Sequence, residues 1–310
     1  MVPILLSLLI CQYFLPYFLT FYKHYRFTHL SFHSIINNMN ISAWLIQATK
    51  RLKAIGIPSA RLDAELILAN TLRRERPYLH AHLDETIDPR RLDIAEARLD
   101  LRLDRVPLAY ILGYKEFYGR QFTVTPAVLI PRPDSEDMIS LLLEMTTSDI
   151  TPKTLIDIGT GSGCLGITAK LERPQLRVIL SDNSSPALKI AEKNADTLKA
   201  DVIIQRQSLL HGQLEPVNYI IANLPYVDKQ WDVSPELRHE PAQALFADQK
   251  GLSLINKLVE QAPACLLPDG FLFIEADPDQ HGAIIRYAEH HGFTIHAQQN
   301  YIIVLRLIRR

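Results

Sequence analysis

The sequence predicts an α/β protein with a Rossmann-like, mostly parallel sheet and a small N-terminal helical domain. From Thr154 onward, short apolar segments alternate with longer segments of helical periodicity, which is typical of a parallel sheet with helices on both faces. Before Pro107, the apolar residues recur mainly at helical spacing. A chain of 310 residues is long enough for two such domains, each with its own core.

The first segment, residues 1–38, differs from the rest of the chain. Val2 to Tyr22 is almost wholly apolar and uncharged, is long enough to span a bilayer, and is followed by basic residues. Two prolines interrupt it, and Met39 lies just before the first well-patterned helix. We predict an apolar extension that results from a misplaced start codon or forms a disordered tail. A membrane anchor is the alternative, so a membrane is expected as a partner only if residues 1–38 are real.

Residues 39–115 are predicted to form the helical domain. Apolar residues from Ile41 to Ile55 recur at helical spacing, and Gly56 provides a stop. Ser59 can cap a second helix, and Asp88, followed by a proline, is a good start for a third. The second helix carries the apolar residues Leu62, Leu66, Ala69 and Leu72.

Residues 116–134 are predicted to form a hairpin connector, because Phe117 to Ile130 is rich in aromatic and β-branched residues with turn residues between them. Residues 135–310 form the predicted second domain. Its predicted strands are Thr154–Ile158, Arg177–Leu180, Val202–Ile204, Tyr219–Ala222 and Gly270–Ile274. No helix is predicted between two further segments, which are therefore expected to form an antiparallel edge pair, Phe293–His296 and Tyr301–Leu307.

A glycine-rich turn follows the first strand of the second domain and opens a helix at about Cys164. Glycines allow the backbone to turn sharply and to approach a ligand at the carboxyl edge of the sheet. Asp182 ends the next strand, where a carboxylate can accept both hydroxyls of a ribose. These features predict a nucleoside-cofactor site that includes Asp157, Gly159, Thr160, Gly161, Ser162, Gly163 and Asp182.

Two types of cofactor are compatible with this turn. Gly161 to Gly166 satisfies the pattern G-x-G-x-x-G, and Asp182 lies about where a dinucleotide-binding acid belongs. However, Asp157 precedes the first glycine, and a carboxylate there suits a cationic amino-acid cofactor better than a pyrophosphate. We predict S-adenosyl-L-methionine, with an NAD(P)-binding oxidoreductase as the alternative.

A tetrapeptide, Asn223-Leu224-Pro225-Tyr226, follows another predicted strand and therefore lies at the same edge of the sheet. The Asn223 side-chain oxygen and the carbonyl of Leu224 or Pro225 can each accept one hydrogen of a substrate amide, which would orient its nitrogen for methyl transfer. Tyr226 can pack on the planar amide. We predict that Asn223, Pro225 and Tyr226 are catalytic, that all four residues bind substrate, and that Asn223 also contacts the cofactor. A simple turn is the alternative for the tetrapeptide alone.

These residues resemble the Asn-Pro-Pro-Tyr amino-methyltransferases, in particular the protein-(glutamine-N5) methyltransferases of the HemK type. The similarity covers about residues 41–310 and includes the segments Pro107–Gly113, Glu116–Gly119, Val128–Glu136, Glu240–Pro241 and Ala244–Leu245. The resemblance implies a class I S-adenosylmethionine-dependent methyltransferase sheet. It implies methylation of the side-chain amide nitrogen of the glutamine in the Gly-Gly-Gln motif of a peptide-chain release factor. The helical domain is then expected to recognise the substrate.

The sequence departs from the family pattern at two places. Leu224 replaces the usual first proline, which we expect to be tolerated because the backbone carbonyl is kept. Ser208 and Leu209 stand where the family commonly has an aspartate and then an aromatic or bulky residue that contact adenine. We expect Ser208 and Leu209 to bind the cofactor, with weaker affinity or a different hold on the adenine.

Arg132 lies between two prolines and has two interpretations. It either positions the peptide substrate or pairs with Asp134 or Glu136 and so fixes the connector.

Other functions remain open from the residues alone. They are methylation of a ribosomal-protein glutamine, nucleic-acid adenine N6-methylation and a non-catalytic binding module. The formal net charge of -1 gives no basic footprint, so direct nucleic-acid binding is not expected. The histidine and cysteine spacings predict no metal site, and three widely spaced cysteines fit a reducing cytoplasm.

Overall fold

A computed structural model of the protein describes residues 39–146, 151–213 and 215–308, and the extension predicted for residues 1–38 lies outside the described residues. The described chain forms a helical unit, a two-stranded hairpin and a seven-stranded sheet with packed helices on both faces. The predicted fold class is therefore confirmed. Within the described ranges, no helix combines the length and the apolar character needed to cross a membrane.

The helical unit has its own apolar core, which includes Trp44 and Leu45. Its described helices are α1 (Ile41–Ala54), α2 (Ala60–Leu72), α3 (Arg76–Ala81), α4 (Pro89–Leu103) and α5 (Leu108–Leu112). As predicted, Asp88 caps α4, because its side chain accepts hydrogen bonds from the backbone of the first turn. The buried face of α2 differs from the predicted one: Leu62 is exposed, whereas Ile67 and Leu68 are buried. The two shortest helices were not predicted, since five or six residues show no clear periodicity.

An ionic cluster connects the helical unit to the rest of the protein. Arg102 of α4 donates to the buried carboxylate of Asp63 in α2 at 2.7 Å. Arg102 and Arg105 also donate to Glu236, which follows the tetrapeptide in the chain, at 3.3 and 3.2 Å. The paired charges hold the helical unit against the segment after the candidate substrate site.

The hairpin begins earlier than predicted. Its strands are β1 (Tyr114–Phe117) and β2 (Arg120–Thr123). The residues after β2 form no strand, and Val124 and Val128 instead pack against Ala187. Pro126 explains part of this difference, because proline has no N–H to donate to a strand neighbour.

The described part of the second unit alternates helices with strands. Its helices are α6 (Glu136–Met145), α7 (Cys164–Glu172), α8 (Ser185–Leu198), α9 (Ala242–Leu245), α10 (Ser253–Cys265) and α11 (Pro278–His290). Its strands are β3 (Thr154–Ile158), β4 (Arg177–Asp182), β5 (Ile203–Arg206), β6 (Val217–Ala222), β7 (Val227–Asp228), β8 (Phe246–Ala247), β9 (Leu266–Glu275), β10 (Phe293–Gln299) and β11 (Ile302–Leu307).

The main sheet has the strand order β10-β11-β9-β6-β3-β4-β5. Strands β9, β6, β3, β4 and β5 pair in parallel, whereas β11 is antiparallel to both of its neighbours, as expected for the last two segments. The chain leaves β3 for β4 and β5 on one side and then returns to β6 on the other side of β3. The point between β3 and β6 is therefore a topological switch, where open α/β sheets bind ligands at the carboxyl ends of their strands.

A test of this packing compares two helical glycines. A Cβ atom at Gly166 in α7 would overlap the Leu180 side chain and lie 3.1 Å from Cβ of Asp157. We expect Gly166→Ala to lower the free energy of unfolding by about 1–3 kcal/mol, because the core must shift. Gly282 in α11 has room for a methyl group, with only Arg286 Nη1 at 3.4 Å, so Gly282→Ala should raise stability by about 0.5–1 kcal/mol. Urea unfolding measures both changes, and shifts of the same sign would contradict the packing.

Candidate active site

A cleft lies at the carboxyl edge of the sheet, at the switch between β3 and β6. It contains about 1040 Å³ of empty space, part of which is open to solvent. The structure brings most of the predicted site residues together along its walls: Arg132, Gly159, Thr160, Gly161, Ser162, Asp182, Ser208, Leu209, Asn223, Leu224 and Pro225. Asp157, Gly163 and Tyr226 do not line the cleft. Asp157 and Gly163 are buried, whereas Tyr226 is partly exposed.

The glycine turn is attached to the end of β4. The backbone N–H groups of Gly159 and Thr160 donate to the carbonyl of Ser181 at 2.8 and 3.0 Å. Asp182 accepts from the N–H of Gly161 at 3.0 Å and from the N–H of Ser184 at 2.8 Å. Each carboxylate oxygen can accept a further hydrogen bond. Asp182 thus holds the turn in place and keeps acceptor capacity toward the cleft.

Gly159 is the point at which the turn meets the tetrapeptide. Its φ of +70° lies in the left-handed region, which a side chain disfavours. A Cβ atom here would also lie only 3.0 Å from Cδ2 of Leu224. The glycine therefore permits both the turn and the close approach of the two segments.

Asp157 is fully buried behind the turn. Its Oδ2 accepts a hydrogen bond from the Thr160 hydroxyl at 2.6 Å and from the Gly166 N–H at 3.0 Å, while the buried Oδ1 has no protein partner in the described structure. Burial raises the pKa of Asp157 to about 7, the two hydrogen bonds oppose this rise, and the nearby charge of Asp182 adds to it. Asp157 thus stabilises the turn from behind and, unlike most of the predicted residues of the turn, does not line the cleft.

The tetrapeptide is positioned by the pairing of β6 with β9. The parallel register places Ala222 beside Ile274, so Asn223 comes next to Glu275. Asn223 Nδ2 donates to the hydroxyl of Ser135 at 3.1 Å, and this hydroxyl donates to Oε2 of Glu275 at 2.5 Å. The hydroxyl of Tyr226 donates to the other oxygen of Glu275 at 3.2 Å.

The side chain of Glu275 is almost completely buried. Burial raises the pKa of Glu275 and the charge of Asp134 adds to the rise, whereas hydrogen bonds from Ser135, Tyr226 and Asn223 oppose it. Burial and the adjacent charge of Glu275 likewise raise the pKa of Tyr226, which is therefore a protonated donor at neutral pH.

The backbone at the end of the tetrapeptide is also fixed. Gln280 Nε2 donates to the carbonyl of Tyr226 and to that of Lys250, both at 2.8 Å. Gly251 packs directly against the carbonyl of Tyr226, where any Cβ atom would overlap it. Among the loop hydrogen bonds of the described chain, none uses the carbonyl of Leu224 or Pro225. These carbonyls retain acceptor capacity at the cleft.

Arg132 has a different partner from the two that were predicted. Its guanidinium donates to Oε1 of Glu240 at 2.5 Å, and Oε2 of this buried carboxylate accepts from the N–H of Ile130 at 3.0 Å. The expected pairing with Asp134 or Glu136 is therefore wrong. The sequence could not reveal the true partner, because Glu240 is 108 positions away and reaches Arg132 only through the fold.

Four residues of this region were absent from the predicted site: Ser135, Glu240, Glu275 and Gln280. Glu275 carried a usable signal, since it is a charged residue at the carboxyl end of a predicted strand, as Asp182 is. Ser135 and Glu240 lie in the segments that carry the family resemblance. No feature of the sequence indicates Gln280 as a site residue, because its contact to the tetrapeptide depends on the position of α11.

The residues present fit a nucleoside cofactor with a cationic amino-acid part. A glycine cradle faces the cleft, Asp182 offers carboxylate oxygens for hydroxyl groups, and the orphaned Oδ1 of Asp157 leaves an unused acceptor behind the turn. Within the part of the chain that the structure describes, no group of three or more His, Cys, Asp or Glu side chains is placed to hold a metal ion.

Family models match two parts of the chain. The PrmC N-terminal domain matches residues 43–113, and the methyltransferase small domain matches residues 134–305. The second match covers more than half of the chain and includes all but the last two residues of the seven-stranded sheet. Together with the fold and the cofactor site, it defines the class of protein as an S-adenosylmethionine-dependent methyltransferase.

Curated relatives narrow this class. The release factor glutamine methyltransferase of Deinococcus radiodurans is 37% identical over 246 residues, which cover 77% of this chain and 87% of the relative. The enzyme of the same name from Koribacter versatilis is 38% identical over 248 residues, covering 74% and 86%. That of Coxiella burnetii is 35% identical over 239 residues, covering 75% and 84%. The chain belongs to the release factor glutamine methyltransferase family, which confirms the resemblance.

The buried carboxyl group of Asp157 makes a prediction about pH. The pKa of Asp157 in the folded state is about 7, above the ordinary value of 3.8. Between these two pH values the carboxyl group is protonated in the folded protein and ionised in the unfolded chain. The ionisation of Asp157 therefore lowers stability as the pH rises through this window. Asn cannot titrate, so the stability of Asp157→Asn relative to the wild type should increase by about 1.4 kcal/mol per pH unit. Urea unfolding at pH 4 to 8 measures this difference, and a constant difference would contradict the raised pKa.

Proposed function

We propose that the protein transfers the methyl group of S-adenosyl-L-methionine to N5 of the glutamine in the Gly-Gly-Gln motif of a peptide-chain release factor. The observation that carries the proposal is the contact between the glycine turn and the tetrapeptide at Gly159 and Leu224. A cofactor held by the turn would lie directly beside the two proposed amide-hydrogen acceptors. The bound cofactor supplies an electrophilic methyl group on a sulfonium.

On the cofactor side, each residue takes a role that follows from its place. The turn residues Gly159 to Gly163 shape the wall, and Asp182 accepts the hydroxyl groups of the ribose. Ser208 and Leu209 lie on the same cleft and are proposed to contact the adenine. Asp157 is proposed to act indirectly, because it holds the turn and offsets the positive charge of the cofactor from behind.

On the substrate side, the glutamine amide needs two acceptors. The oxygen of Asn223 and the carbonyl of Leu224 or Pro225 are proposed to accept its two hydrogens and so hold the nitrogen in line with the methyl group. An amide nitrogen is a poor nucleophile, since its lone pair is delocalised into the carbonyl. Acceptors that strengthen their hold as positive charge develops on the nitrogen favour the transfer. No general base is required, because the methylated product can lose its proton afterwards.

Tyr226 and Arg132 are proposed to help bind the substrate glutamine and the peptide around it. Tyr226 is partly exposed, and its hydroxyl is held by Glu275, so its ring is proposed to pack on the substrate amide. Arg132 lines the cleft while paired with Glu240, which fits a role in shaping the entrance for the peptide.

The helical unit is proposed to recognise the release factor. The ionic cluster of Arg102, Arg105 and Glu236 holds it at a fixed position relative to the segment after the tetrapeptide. The boundaries 39–115, 116–134 and 135–310 remain predictions. The cytoplasm is the proposed location, because translation termination takes place there.

Family membership rules out the oxidoreductase alternative. A glutamine of a ribosomal protein and an adenine of a nucleic acid remain as other substrates to test. The relatives named release factor glutamine methyltransferase support a release factor over both.

The test of the proposed substrate is mass spectrometry of a purified release factor after incubation with the full chain and S-adenosyl-L-methionine. We expect one added methyl group on the Gly-Gly-Gln glutamine and none on a substrate in which alanine replaces that glutamine. Cofactor binding without methylation of the release factor would overturn the proposal and direct the same assay to ribosomal proteins and rRNA.

Two substitutions separate the two halves of the site. Asn223→Ala should lower kcat about 10²- to 10³-fold, because one amide acceptor is lost, while cofactor affinity changes little. Asp182→Ala should instead raise the Kd for S-adenosyl-L-methionine. Calorimetric cofactor binding and single-turnover methylation measure the two effects. An Asn223→Ala variant with normal kcat would contradict the assigned role.

A further inference from the structure

One buried group near the cleft has no role in the proposed transfer, namely the carboxylate of Glu275. It does not line the cleft, and each of its oxygens is already bonded, one to Ser135 and the other to Tyr226. Burying a carboxylate is costly unless it is well satisfied, and a neutral side chain would fill the same space at lower cost. Its contacts therefore suggest a function beyond packing.

The hydrogen-bond polarity of this group determines the orientation of Asn223. The Ser135 hydroxyl donates its one proton to Oε2 of Glu275. The hydroxyl can then only accept from Asn223, and only the NH2 end of the Asn223 amide can donate. The amide oxygen of Asn223 therefore remains available to the cleft.

The shape of the site alone could not determine which end of the Asn223 amide faces the cleft. The oxygen and nitrogen of an asparagine amide are almost the same size, so a flipped amide would fit the same space. A flipped Asn223 would present its NH2 group to the NH2 group of the substrate glutamine, and two donors would face each other. Correct orientation is thus a condition for binding the amide productively.

We propose that Glu275 is a positioning residue that acts through Ser135 to keep the amide oxygen of Asn223 directed at the substrate glutamine. The inference rests on the proposed function, because it assumes that an amide is the substrate. Gln280 and Gly251 complete the arrangement by fixing the backbone carbonyl at the other end of the tetrapeptide. The segment from Glu275 to Gln280 thus holds both the side chain and the backbone that surround the amide.

The test is a double-mutant cycle in the full chain. Ser135→Ala removes the hydroxyl that bridges Glu275 and Asn223 and should lower kcat about 10- to 100-fold, with an unchanged KM for S-adenosyl-L-methionine. In an Asn223→Ala background the same substitution should cost nothing further, because no amide remains to be oriented. Ser140→Ala is the matched control, since the exposed Ser140 hydroxyl bonds only the helix backbone, and kcat should not change.

Single-turnover methylation of the release factor, followed by mass spectrometry, provides the rates. An unchanged kcat in Ser135→Ala would overturn the proposal, and so would an equal loss in both backgrounds, which would indicate a general structural effect. If the wild type fails to methylate the release factor, the proposed function fails instead, and this result is seen before any variant is made.

If Ser135→Ala does not fold, a second variant tests whether Glu275 orients Asn223. Glu275→Gln keeps the shape and replaces an ionisable group with a neutral one, so burial favours the folded variant. However, an amide can donate or accept toward Ser135, and Asn223 then loses its imposed orientation. We expect a kcat at least several-fold lower with undiminished stability in urea. A kcat equal to that of the wild type would overturn the proposal.

Discussion

The parallel hydrogen-bonded register of β9, β6 and β3 is the constraint on which the rest of the site depends. It brings the carboxyl ends of these strands to one edge, so that the glycine turn, Asn223 and Glu275 become neighbours although they are distant in the chain. Because side chains alternate along a strand, a slip of one residue would turn Asn223 or Glu275 toward the opposite face. The apolar cores on both sides of the sheet prevent such a slip, since each strand buries side chains on both faces.

Two buried carboxylates show how stability and function are balanced at this edge. Asp157 and Glu275 both have raised pKa values, and burial is the main cause in each case. Each holds a segment that faces the cleft, the glycine turn in one case and the tetrapeptide in the other. Apolar replacements of buried charged groups often cost no stability, but hydrogen bonds donated to a carboxyl group fix direction as well as position.

The connector joins the two halves of the protein at the cleft. Its residues Ile130 and Arg132 bind the buried carboxylate of Glu240, and Ser135, directly after it, bonds to Asn223. The Tyr110 hydroxyl of the helical unit donates to the carbonyl of Val128 at 2.6 Å. A stretch that the sequence presents as a simple link is therefore part of the wall of the site, and its prolines limit the conformations that it can adopt.

The sequence by itself determined the fold class, the order of the strands along the chain, and the two motifs of the cleft, because periodicity, capping residues and glycine turns are local properties. Most predicted strands lie within two residues of their observed bounds, although β9 begins four residues earlier. The tertiary structure alone decided the short helices α3 and α5, the buried face of α2, the pairing of Arg132 with Glu240, and the chain of contacts from Glu275 through Ser135 to Asn223. These features depend on partners that are far apart in the chain, and no local pattern encodes which distant residue a buried polar group will meet.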